Sequence, residues 1–229
     1  LQRYDLVALP VVDKERRLLG VITADEVADI ISEEATEDMY RMVGLVEEHV
    51  FSPFWFSVRK RLPWLYVNLA TAFLAAAVVA MFEPAIAAVA ALAIFLPVIA
   101  SQGSNAAAQT LTILVRGLAL GEIRFQDTWR AVTKEVGLGL ANGLAIGLVT
   151  GVIASIWVGN PVLGLVVGVA MVLNMIAAGL GGAAVPLILR LLRIDPALAS
   201  VIFVTTITDV LGFLFYLGLA TLLLPGLLR

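Results

Sequence analysis

Asp209 stands in the run Thr205-Thr206-Ile207-Thr208-Asp209-Val210-Leu211-Gly212, near the middle of the long apolar stretch Ala197–Leu224. Helical spacing puts Thr205, Thr208, Asp209 and Gly212 at i, i+3, i+4 and i+7, on one face. An ionisable group at the centre of a bilayer costs about 2.5–3.5 kcal/mol on insertion scales, so its presence there argues for a function. A carboxylate flanked by hydroxyls and a bare backbone suits a hard, oxygen-seeking cation. Two plainer readings compete with it: a protonated Asp hydrogen-bonded between helices, or a salt bridge to a base. The second is weak, because the basic residues cluster near the ends of the apolar stretches.

A matching polar segment lies upstream: Pro97-Val98-Ile99-Ala100-Ser101-Gln102-Gly103-Ser104-Asn105, followed by Gln109 and Thr112. Ser101, Asn105, Ala108 and Thr112 follow helical spacing along one stripe. Pro97 cannot donate to a helix ladder and Gly103 loosens it. Backbone freed in this way is tolerated at membrane depth only against protein or a water-filled cavity. The segment therefore reads as a pore wall, with a kinked packing helix as the plainer alternative. Asn68, Asn142 and Asn174 read as interhelical or interfacial hydrogen-bonding residues, and Glu135, next to Lys134, as a partner for a base.

One Asp per chain supplies a single negative charge, too little to offset a divalent ion. Two chains meeting on a twofold axis, the commonest closed symmetry, would supply two. Mg²⁺ dehydrates reluctantly and is usually held through water by one or two carboxylates. Transition metals favour His or Cys, and the chain has no Cys and one His, His49. No arrangement of Ser and His suggests a nucleophile, and no Gly-rich phosphate loop follows a strand, so an enzyme is not expected. No basic cluster suggests nucleic acid.

The elements that must position these residues are mostly membrane spans. Apolar residues make up 61% of the 229, charged residues only 14%, and mean hydropathy is +0.99. A soluble domain usually carries about 25% charged residues. Residues 1–61 hold 12 acids and 8 bases, and residues 62–229 the remaining 6 and 7. Five stretches reach the roughly 20 residues a bilayer needs: Leu62–Phe82, Ala85–Leu120, Gly137–Val158, Val162–Leu189 and Ala197–Leu224. The second is too long for a straight crossing and is expected to be tilted, broken or continued into the cytosol. The glycines of the third and fourth fit close helix–helix packing.

Bases set the orientation. Arg59, Lys60 and Arg61, then Arg116, Arg124, Arg130 and Lys134, then Arg190 and Arg193 all fall on one side of five alternating spans. That places the N-terminus in the cytosol and the C-terminus outside. Residues 1–32 read as two short strands, Leu6–Val12 and Leu18–Thr23, and a helix over Ala24–Ser32. So small a unit cannot bury a core, and something upstream is expected to complete it. Residues 33–58 read as an acidic connecting helix, broken by Pro53 before the bilayer. The expected fold class is thus an all-α membrane protein of five transmembrane helices (59–229), preceded by a partial α/β module and a connecting helix.

These segments resemble the MgtE family of Mg²⁺ channels and transporters over nearly the whole chain. The resemblance is carried by LPVVDKERRLLGVITADEVADII, similar to the end of a second CBS domain, and by EEATED at the entry to the connecting helix. It continues through LPVIASQGSNAAAQTLTILVRGLALGEI, KEVGLG, DPALAS and TTITDVLGF. It implies a homodimer in the lipid of a bacterial inner membrane, with the ion path between the two membrane domains. It implies Mg²⁺ as both permeating ion and regulator. The central Mg²⁺-binding Asp falls on Asp209 and a pore-facing position one turn earlier on Thr205. The pore stretch falls on Ser101, Gly103, Ser104 and Asn105. Sensor acids fall on Asp29, Glu34, Glu37 and Asp38, with Glu26 beside them, and the connecting helix acts as a plug. Two departures stand out: Gly103-Ser104-Asn105-Ala106-Ala107 replaces a Gly-Gly-Asn-x-Gly run, and Val201 replaces an Asn found in some relatives. The competing functions are a secondary carrier for another divalent cation or a cation-coupled solute, and a non-transporting membrane scaffold.

Overall fold

The computed structural model of the chain describes residues 6–45, 48–123, 125–196 and 201–223, with the side chains of Ala35, Asp38 and Phe125 outside that description. It opens with an antiparallel hairpin, β1 (Ala8–Val12) and β2 (Leu18–Thr23), with Ala8 opposite Thr23 and Val12 opposite Leu18. Asp13 makes the turn: its Oδ1 accepts from the Arg17 amide at 2.7 Å and its carbonyl from the Arg16 amide at 3.1 Å. Leu9, Val11, Leu19 and Val21 remain exposed, so the hairpin buries no core of its own.

Helix α1 (Ala24–Met42) follows β2 directly. Thr23 is its N-cap, and a capping box with Glu26 satisfies an amide in each direction. The short helix and the connecting helix expected on either side of Ser32 are one continuous element, because neither Gly nor Pro interrupts the sequence between them. It ends at Gly44, well before Pro53. Gly44 has φ +72°, and a Cβ there would lie 2.6 Å from the Trp64 ring, so both conformation and space require glycine.

Helix α2 (Phe54–Met81) starts at Pro53 and runs through Arg59, Lys60 and Arg61, earlier than the expected start at Leu62. Hydropathy marks the hydrocarbon portion of a span, while the helix extends through the interface where basic side chains reach water. The long second stretch is broken, one of the forms expected for it: α3 (Glu83–Ala88) is followed at Val89-Ala90 by α4 (Ala91–Ala119), which contains Pro97. Helix α5 (Thr128–Val158) stops at Gly159, φ +68°. Asn160 caps α6 (Pro161–Leu191), its Oδ1 accepting from the Val162 and Leu163 amides. Helix α7 (Val201–Leu223) completes the described chain. Among the described residues, helices α2, α4, α5, α6 and α7 are the five long and apolar enough to span a bilayer, so the chain is a multi-pass membrane protein.

Helix α6 is the most buried of the five and packs against α4, α5 and α7. Its contact with α5 runs backbone to backbone: a Cβ on Gly147 would lie 2.7 Å from the Gly168 carbonyl oxygen. This is the close packing that the glycine spacing predicts. The main core joins Leu92, Phe95 and Ile99 of α4 to Leu163, Val166 and Met171 of α6 and to Tyr216 and Leu217 of α7. The Tyr216 hydroxyl donates to the Leu92 carbonyl at 3.1 Å. Helix α2 lies outside this bundle, touching α7.

Candidate functional site

Two of the polar segments picked out by composition meet across α4 and α7. Ser104 Oγ donates to Asp209 Oδ1 at 3.1 Å, across 105 positions of sequence. Both side chains are only partly buried. Asp209 is thus a half-open carboxylate in the middle of a spanning helix, with one hydroxyl on one oxygen. None of the described bases forms an ion pair with it.

The residues around it divide into two sets. Thr205 is partly exposed, and its hydroxyl donates to the Ile202 carbonyl. Thr208 is wholly buried and donates to the Thr205 carbonyl at 2.8 Å, and Gly212 presses on Asn174 of α6. The single face expected for Thr205, Thr208, Asp209 and Gly212 is therefore split: the first and third stay partly exposed, while the other two face the bundle. Gly103 of α4 is likewise buried against Asn174. Ser101 and Asn105 lie on the opposite, open side of α4 and are exposed. The stripe continues through Gln109 and Thr112, and Gln102, Asn105, Gln109 and Thr112 line an open groove of about 610 Å³. A row of amides and hydroxyls on an exposed face of a spanning helix is costly against lipid.

Glu135 of α5 is a buried carboxylate packed against α4: Thr110 Oγ1 donates to its Oε2 at 3.1 Å, and Lys134 Nζ lies 3.6 Å from Oε1. The expected pairing with a base is present, joined by an interhelical hydrogen bond that spacing could not reveal.

Residues 96–219, which run from the second turn of α4 into α7 and include both Ser104 and Asp209, match the family MgtE, described as divalent cation transporter. That is over half of the 229 residues. The chain belongs to the MgtE family. It is similar to the magnesium transporter MgtE of Thermus thermophilus, at 40% identity over 97% of this chain and 50% of the relative. It is similar also to the magnesium transporters MgtE of Bacillus subtilis, at 32% identity over 99% of this chain and 51% of the relative, and of Enterococcus faecalis, at 33% over 97% and 49%. The chain spans about half the length of these curated relatives. The family described is one of transporters and not of enzymes.

In this MgtE family member the acids ahead of the membrane domain spread along α1. Glu26 is committed to the capping box, and Glu37 pairs with Arg41. Asp29, Glu33 and Glu37 border an open cleft of about 710 Å³, with Tyr40 of the same helix and His49 and Phe56 opposite. Glu34 is exposed, and the Asp38 side chain lies outside the described residues. Among the described residues no three Asp, Glu or His side chains come together to hold a metal ion.

Two ion pairs tie α1 and its linker to the membrane domain. Arg41 bonds Asp195 in the α6–α7 connection as well as Glu37. Arg61 of α2 grips Glu48 through Nε and Nη2, at 2.6–3.1 Å. These hydrogen bonds, with one from Ser57, hold the Glu48 carboxyl below the usual carboxylate range. Met42 packs on the cluster of Ala107, Leu111, Val115, Ala178 and Val204, seating the end of α1 among α4, α6 and α7. Sequence reading passed over Arg41. Its signal was its isolation, since no other Lys or Arg stands between Arg17 and Arg59.

Proposed function

We propose that the chain carries Mg²⁺ across a bacterial inner membrane as a homodimer, the ion passing Asp209 between the two membrane domains. The observation that carries this reading is the Ser104–Asp209 pair, a half-open carboxylate held by a neutral hydroxyl at membrane depth. No described base pairs with this carboxylate, so a cation arriving there would meet no competing ion pair. Two copies related by a twofold axis supply two carboxylates, the sparse charge that suits an ion still carrying water. The exposed stripe of Ser101, Asn105, Gln109 and Thr112 supports the same arrangement, since a second copy or a water-filled path would cover it. Thr205, partly exposed one turn before Asp209, is proposed as a lining residue. Thr208 and Gly103 would act from behind, through backbone placement.

Regulation by cytosolic Mg²⁺ belongs to the same proposal. Asp29, Glu34, Glu37 and Asp38 are acids of α1, and divalent ions bound between that helix and a neighbouring domain would hold a closed arrangement in proportion to occupancy. The seat of Met42 and the Arg41–Asp195 pair give α1 a mechanical connection to the helices that carry Ser104 and Asp209.

The test is Mg²⁺ uptake into proteoliposomes, comparing the chain with Asp209→Asn. Uptake by the parent, lost in a folded and dimeric variant, is expected. Equal uptake by the two would make Asp209 a packing residue and end this reading.

A further inference from the structure

We infer that Asn174 is a positioning residue for the ion path, setting the α4–α7 spacing at which Ser104 reaches Asp209. This rests on the proposed role of Asp209. Asn174 lies on the central helix α6 and is wholly buried. Its Nδ2 donates to the Ile99 carbonyl of α4 at 2.9 Å, and its Oδ1 has no partner among the described residues. Two glycines make room for it, one on each neighbour. A Cβ on Gly103 of α4 would lie 2.3 Å from Nδ2, and one on Gly212 of α7 would lie 2.8 Å from it.

The positions of those glycines carry the inference. Gly103 precedes Ser104, and Gly212 falls one helical turn after Asp209. The amide is therefore a wedge between α4 and α7 beside the Ser104–Asp209 hydrogen bond, well away from the other α4–α7 bridge, Tyr216 to the Leu92 carbonyl. A leucine, with the same branching and number of heavy atoms but a larger bulk, would occupy the gap without a buried, half-satisfied amide, whose unmade hydrogen bond is a cost in this setting. What leucine cannot do is bond the Ile99 carbonyl. That bond fixes the axial register of α4 on α6 one turn before Gly103, and so fixes where Ser104 points.

The test uses the whole 229-residue chain in proteoliposomes, with initial Mg²⁺ uptake measured for Asn174→Leu, Ser104→Ala, the double variant and Asp209→Asn. Each of the first two is expected to slow uptake roughly fivefold, the factor one neutral hydrogen bond commonly carries. The double variant should be no slower than the worse single, because Asn174→Leu has already lost what Ser104 contributes. Multiplying effects, roughly 25-fold together on that same hydrogen-bond scale, would show that Asn174 acts elsewhere and overturn the inference. Normal uptake by Asn174→Leu alongside loss in Asp209→Asn would overturn it while leaving the Asp209 reading intact. Normal uptake by Asp209→Asn would remove both. If Asn174→Leu does not fold, Gly212→Ala, which pushes on the same amide from α7, replaces it in the cycle, and multiplying effects again overturn the inference.

Discussion

Replacing Gly147 by Ala should destabilise the membrane domain, whereas the same change at Gly137 on the same helix should not. At Gly147 the new Cβ would lie 2.7 Å from the Gly168 carbonyl oxygen and 3.1 Å from Val172 Cγ2. An ordinary carbon contact needs about 3.5 Å or more, so α5 and α6 must part locally by several tenths of an ångström. A radial gap of roughly 0.5–1 Å forfeits a quarter to a half of each contact's attraction. Overpacking of this kind typically costs about 1–3 kcal/mol. At Gly137 a Cβ meets nothing within 4 Å, and the residue is exposed. There Ala gains up to about 1 kcal/mol of helix propensity. The two variants should therefore differ by roughly 1–4 kcal/mol, combining those ranges. The assay is equilibrium unfolding in mixed detergent, followed by far-UV circular dichroism, with parent and both variants side by side. Equal shifts in the two variants, or stabilisation by Gly147→Ala, would refute the claim that backbone contact holds α5 to α6.

Thr110→Val removes the donor to a buried Glu135 carboxylate and should cost about 1–3 kcal/mol in the same unfolding assay, while Glu135→Gln, able to keep that hydrogen bond, should cost less. Glu48 predicts an acid sensitivity in the linker. Its folded pKa is depressed by Arg61 and Ser57, so its stabilising contribution is present above the ordinary carboxylate pKa and lost as pH falls through the lower folded value. Because Gly44 in the same linker packs on Trp64, tryptophan emission followed downward from pH 7 should report the release. Glu48→Gln should abolish that acid step.

Much of this architecture is written in local chemistry. Thr23 and Glu26 start α1, Gly44 and Gly159 end helices with positive φ, and Asn160 starts α6. These are interactions within a few residues, so spacing alone reveals them. The five spans follow from hydropathy in the same way, although their ends shift: α2 and α5 begin earlier than Leu62 and Gly137 because helices continue past the hydrocarbon into the interface. Asp209 was marked out by charge at depth, and Ser104 by its place in a polar stretch. Helical periodicity could not decide which of their neighbours stay partly exposed and which turn into the bundle.

The sequence by itself determined a multi-pass helical membrane protein with one central acid, because hydropathy, capping and charge are properties of residues and near neighbours. Only the tertiary structure decided that Ser104 meets Asp209, that Thr208 and Gly103 turn inward, and that Asn174 stands between α4 and α7. Those outcomes depend on the rotation and register of each helix against the others. Rotation and register are set by contacts among residues 25 to 154 positions apart, such as Thr110 with Glu135 and Arg41 with Asp195. No periodicity within one segment encodes them.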